Sequence, residues 1–294
     1  MKSKASGYIF AILSAVIYGC MPIMAKYIYA EGVNPLTLVF LRNLLALPIL
    51  ALLMIREKKQ ATYTSRTVVK SVIPAFFGCV ITPLLLFSSY NYLDSGIATV
   101  FHFIYPCIVL LIGIIFLKKK FDFTTPLSVF ICIIGIMLFY DPSQSISAVG
   151  SALALISGLT FAIYVSTLSR FQTGGFSGFT FCFYVAMWSS IILLIVCLVS
   201  GQIMLPSTLL GWGLCLLFAL SVTVGAVFLF QQGTMIIGGE KSSVLSALEP
   251  ITSVVIGIIV FGESCRLTVV IGATLVIISS VLIAAADLLK KEKE

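Results

Sequence analysis

Glu249 is a lone glutamate in the middle of a long apolar stretch, and it stands directly before Pro250. An ionisable group inside a bilayer costs at least a few kcal/mol, so it needs a partner or a watery cavity. The proline lacks a backbone donor and frees a carbonyl one turn upstream, which puts polar backbone at the same depth. Ser242, Ser246, Glu249 and Ser253 follow spacings of 4, 3 and 4, so all four share one helical face. Displaced by 144 residues, this stripe lands on Ala98, His102, Tyr105 and Val109, which sets His102 opposite Ser246 and Tyr105 opposite Glu249. His102 is the only histidine of the chain. A histidine changes charge near neutral pH and a carboxyl group can bind a proton, so either could carry a coupling proton. Plainer roles stand beside this one: serines let transmembrane helices approach closely, and Glu249 can cap a freed carbonyl or pair with a fixed cation.

Other polar groups fall inside apolar stretches. Arg42, followed by Asn43, can snorkel to the headgroups as Lys26 can, or can pair with a substrate carboxylate or with Glu249. Tyr18, Tyr90, Asn91, Tyr184, Trp188, Gln231 and Gln232 could line a path or anchor span ends at the interface. Seven cysteines lie in apolar runs with no CxxC and no histidine cluster, so they read as reduced packing residues, and neither a metal nor another cofactor is expected. One histidine and one mid-span glutamate do not supply the constellation an intramembrane enzyme needs, and no filter motif or charge ring points to a channel.

The elements that position these residues follow from composition. The chain is 60% hydrophobic and 10% charged, with a mean hydropathy of +1.16, too few charges to cover a water-soluble surface. Breaks at charges, Gly, Pro and Asn place ten spans near 6–29, 34–55, 68–92, 95–117, 124–140, 150–170, 177–200, 208–236, 241–261 and 267–287. The first is too long for a signal-peptide core. The net charge of +7 comes from short basic clusters between spans, which read as topology signals and not as a nucleic-acid surface. Arg56, Lys58, Lys59, Arg66, Lys70, Lys118 to Lys120, Arg170, Lys241 and the final lysines alternate onto one face, expected to be cytoplasmic together with both termini; Glu31, Asp94, Asp141 and Glu263 take the other, with Arg266.

The chain also repeats. Ala11, Ser14, Ala15 and Gly19 match Ala154, Ser157, Gly158 and Ala162 at a displacement of 143, as do Asn34, Thr37 and Phe40 with Ser177, Thr180 and Phe183. Val100, Pro106 and Gly113 match Val244, Pro250 and Gly257 at 144. The halves are therefore 1–143 and 144–294, with five spans each. Because five is odd, the second half enters the membrane from the opposite side, the inverted plan of many secondary transporters with a midplane substrate site. The small residues recurring every fourth position on the first and sixth spans suit close packing.

The stretch 241–263, KSSVLSALEPITSVVIGIIVFGE, resembles the Leu-Glu-Pro element and closing Gly-Glu of the EamA-type branch of the drug/metabolite transporter superfamily. SGIATVFHFIYPCIVLLIGIIFLKKK, over 95–120, fits the first-half counterpart but keeps Tyr105 where the second half has Glu249, and Phe40, Leu41 and Arg42 also resemble the family pattern. The resemblance implies ten helices in two inverted five-helix halves around a central cavity, and carriage of amino acids, other metabolites or toxic compounds, often outward. His102 has no counterpart in the family motif.

Together these readings predict an all-α membrane protein of ten transmembrane helices. It would act as a secondary transporter in the cell (inner) membrane, exporting an amino acid or related metabolite by alternating access, with protons as a candidate coupling ion. Efflux of a hydrophobic cation is the alternative. The expected partners are a small-molecule substrate and the lipid bilayer, with no nucleic acid. The expected site comprises His102, Tyr105, Ser246, Glu249, Arg42, Tyr90, Trp188 and Gln231.

Overall fold

In the computed structural model, residues 4–56, 65–93, 95–118, 123–138, 147–170, 178–261 and 266–291 are described. Asp94, Asp141, Glu263, Lys58, Lys59, Lys119, Lys120 and the three final residues, which carry part of the charge alternation, lie outside them. The described residues are helical, without a strand, and form ten segments. These are α1 (Lys4–Ala30), α2 (Pro35–Arg56), α3 (Val68–Ser89), α4 (Ser95–His102 with Tyr105–Ile115), α5 (Thr124–Met137), α6 (Ala148–Arg170), α7 (Gly178–Ser200), α8 (Leu209–Ile237), α9 (Gly239–Leu245 with Leu248–Phe261) and α10 (Leu267–Lys291). Eight of them are long and apolar enough to cross a membrane; α5 is shorter, and α9 is divided.

Proline decides where the helices break, since it cannot donate to the carbonyl four residues back. In α4 the helix turns over Phe103 and Ile104 ahead of Pro106, and in α9 over Ser246 and Ala247 ahead of Pro250. These two breaks occupy matching places in the repeat. Pro22 and Pro48 interrupt α1 after Gly19 and α2 after Leu44, whereas the equivalents in α6 and α7, Val165 and Ile191, let those helices run on unbroken. Neither of these first-half breaks is foreseen in a reading of continuous spans, although both prolines are visible in the sequence. A second pair of irregularities starts 144 residues apart: α3 widens to π-helix over Ala75–Ile81, between Pro74 and Pro83, and α8 over Ala219–Val227, where no proline stands.

The packing interleaves the halves. α1 lies against α8 and α9 of the second half, and α6 lies against α3 and α4 of the first. α2 packs on α7, α5 on α10 and α4 on α9, each span on its own counterpart. The pattern is unchanged when the halves are exchanged. Small side chains make the crossings possible: at Gly158 an added Cβ would sit 2.5 Å from the His102 carbonyl oxygen, and at Gly19 it would sit 2.8 Å from the Glu249 carbonyl oxygen. Polar side chains then join the halves: Ser14 Oγ donates to the Ala226 carbonyl at 2.8 Å, Ser253 Oγ to the Gly19 carbonyl at 2.7 Å, and the Thr82 and Thr160 hydroxyls meet at 2.7 Å.

Outward-facing positions carry Ile, Leu and Val on every long segment, among them Ile9, Leu52, Ile115, Leu155, Val199 and Ile278. Such a surface suits hydrocarbon, where a polar one would not. The chain is accordingly a multi-pass membrane protein.

Candidate functional site

The first-half piece Tyr105–Ile115 and the second-half piece Gly239–Leu245 meet where the two broken helices cross. Glu249 sits one residue into the second piece of α9 and is buried. Its carboxyl group makes no hydrogen bond or ion pair among the described residues. What surrounds it is phenolic: Tyr18 of α1, Tyr90 at the end of α3 and Tyr105 of α4 are each within electrostatic range. The expected pairing of Tyr105 with Glu249 across the halves is thus brought together. The Tyr105 hydroxyl also approaches the Ser243 carbonyl at 3.5 Å and reaches Ser246.

The serine stripe divides by task. Ser246 donates to the Ser242 carbonyl of its own helix at 2.9 Å, and Ser253 is committed to Gly19 at the break of α1. The Ser242 hydroxyl is buried without a partner among the described residues.

His102 is turned toward α6. Its Nδ1 lies 2.8 Å from Ser157 Oγ, and the Ser157 hydroxyl donates to the Ala154 carbonyl at 2.6 Å. With the serine proton so used, the imidazole carries its own proton on Nδ1 and donates it to Ser157. Around the ring stand Phe103, Tyr105 and Phe161, with centroids 5.9, 5.3 and 5.4 Å away. Phe161 continues a belt of rings to Tyr105 at 4.7 Å, Tyr164 at 5.5 Å and Phe230 at 5.4 Å, and Phe230 reaches Tyr18 at 6.5 Å. Phe161, Tyr164 and Phe230 were not singled out in the sequence, where an aromatic residue in an apolar helix carries no mark of its neighbours.

Arg42 lies on α2 and is 3% exposed, with its Nε lacking a partner and no carboxylate within ion-pair distance among the described residues. It stands 6.0 Å from the Phe87 ring, near Cys79 and Tyr18. Gln231 is completely buried beside Tyr164, and neither atom of its amide finds a hydrogen-bond partner among the described residues. Trp188 is placed differently: its indole N–H donates to the Val68 carbonyl at the end of α3, at 3.1 Å. No group of three or more metal-ligating side chains occurs among the described residues.

A buried guanidinium without a counter-ion, a buried carboxyl without an ion pair and a buried amide with no hydrogen bond of ordinary geometry, each among the described residues, converge on one belt of phenols and phenyl rings. Such an arrangement can hold a polar solute, because only an incoming group supplies the missing hydrogen bonds.

The chain is similar over almost its full length to proteins named as transporters. An uncharacterized transporter of Clostridium kluyveri is 24% identical over 292 residues, spanning 94% of this chain and 92% of the relative. The uncharacterized inner membrane transporter YicL of Salmonella typhimurium is 25% identical over 307 residues, spanning 98% and 97%. A protein of known crystal structure with 16% sequence identity superposes with a TM-score of 0.76 over 99% of this chain and 100% of its own, a likeness of fold. The model of the EamA-like transporter family matches residues 5–141 and 148–285, one copy in each half, and the chain belongs to that family.

Proposed function

We propose that this transporter is a secondary carrier of the cell (inner) membrane that exports an amino acid or a related small metabolite by alternating access, without covalent chemistry. The observation that carries this reading is Glu249, a buried carboxyl group with no ion pair or hydrogen bond among the described residues, set at the break of α9 where the halves meet. Keeping an unpaired acid at mid-depth costs a few kcal/mol, and a substrate amino group arriving at that point offsets the cost. Five spans per half make halves 1–143 and 144–294 an inverted pair, with the pseudo-two-fold axis in the membrane plane and both termini cytoplasmic. The exchange-symmetric packing supports rocking of the halves about the α4–α9 crossing. Protons are the coupling ion this reading favours, with Glu249 as the group that exchanges them.

Efflux of a hydrophobic cation is a second reading, favoured by the ring belt of Tyr105, Phe161, Tyr164 and Phe230 around an acid. Counterflow in proteoliposomes separates the two. Exchange of labelled amino acids that is lost in Glu249→Gln supports the first, and exchange of a lipophilic cation alone moves the assignment to the second. Proton movement accompanying amino-acid exchange in the wild type, absent in the variant, assigns the coupling to Glu249.

A further inference from the structure

We infer that Arg42 is the carboxylate subsite of the carrier, so that the substrate must bear an anionic group as well as an amine. This rests on the amino-acid reading and adds the second pole of the solute.

The guanidinium is buried and permanently charged, and no acid among the described residues neutralises it. Its neighbours are the Phe87 ring, the Cys79 thiol and the Tyr18 phenol. Cation–π attraction to one phenyl ring at 6.0 Å offsets only part of what burial costs a charge. Nor does Arg42 snorkel, since at 3% exposure its head is wrapped by protein. An anion would neutralise this buried charge as well as accept its hydrogen bonds, and the planar fork of a guanidinium matches a carboxylate with two parallel bonds.

Two separate lines of side chains connect Arg42 with Glu249. Tyr18 is within electrostatic range of both. Phe87, beneath the guanidinium, lies 5.9 Å from the Tyr90 ring, and Tyr90 is in range of Glu249. The cation and the acid are thus the ends of one aromatic-walled site contributed by α1, α2, α3 and α9. A lipophilic cation has no use for the arginine end, and a solute with a carboxylate and an amine uses both.

The test is counterflow by the full-length protein in proteoliposomes, using a labelled mixture of the twenty proteinogenic amino acids and, separately, their α-carboxamides, which keep the amine and lose the negative charge. The wild type is expected to exchange the amino acids at least tenfold better than the carboxamides. Arg42→Gln is expected to lower amino-acid affinity by about ten- to a hundredfold while leaving carboxamide exchange within a few fold. Arg42→Lys, which keeps the charge without the fork, should restore part of the preference for the acid. Amino-acid exchange by the wild type that is matched by the carboxamides overturns the subsite while leaving the carrier reading intact, and it does so whether or not Arg42→Gln folds. Equal preference for the acid in wild type and in folded Arg42→Gln also overturns it. Exchange of neither probe by the wild type overturns both the amino-acid reading and the subsite.

Discussion

Replacing Gly158 with alanine tests the idea that the break in α4 is held by close backbone contact with α6. The new methyl carbon would lie 2.5 Å from the His102 carbonyl oxygen and 3.1 Å from a methyl group of Ile104. Ordinary contact begins near 3.4 Å, so the two backbones must separate by about 0.9 Å, and the obstructing atom belongs to backbone that cannot rotate away. Overpacking of this kind costs about 1–3 kcal/mol, against which alanine in a helix interior gains about 0.5–1 kcal/mol. The expected net loss is up to about 2.5 kcal/mol, centred at about 1 kcal/mol. The matched control is Gly213→Ala in α8, where nothing lies within 4 Å and only the helix gain remains. Denaturant titration of both variants in detergent micelles should therefore move the midpoints in opposite directions. The carbonyl at Gly158 is the one Pro106 releases, so counterflow by Gly158→Ala should fall as well. A Gly158→Ala protein as stable as Gly213→Ala, with wild-type counterflow, would refute the reasoning.

Glu249→Gln preserves size and removes the acid, so folding should persist while counterflow falls more than tenfold; an active variant would place the substrate elsewhere. Ser157→Ala leaves the His102 Nδ1–H without its acceptor and should cost about 1 kcal/mol in the same titration, with transport following stability. Loss of transport at unchanged stability would instead give His102 a direct role in the cycle. Thr208 caps α8 by accepting from Gly211 at 3.0 Å and donates to the Glu31 carboxylate, so Thr208→Val should cost about 0.5–2 kcal/mol and speed hydrogen exchange over residues 201–208. Unchanged exchange there would show that the cap is not what holds the segment to the tip of α1.

The division of the chain into ten segments was legible in the sequence because hydrocarbon imposes one rule on every span: about 20 apolar residues, with charge, Gly, Pro and Asn only where they end. The repeat was legible because Pro106 and Pro250 must each break a helix wherever they stand, and their spacing survived when most side chains had diverged. Those same residues pointed to Glu249 and to its meeting with Tyr105. The sequence did not determine which helices touch, since one apolar helix face is much like another, and so it could not place Phe161, Tyr164 and Phe230 around Tyr105. Nor could spacing along α4 show that His102 turns to Ser157 of α6, or that Trp188 spends its N–H on Val68. The sequence placed Arg42 and Gln231 among candidate site residues, but whether either finds a partner within the protein was decided wholly by tertiary structure. A polar side chain in a span reads the same whether it has a partner or lacks one, and only the packing of other helices around it decides.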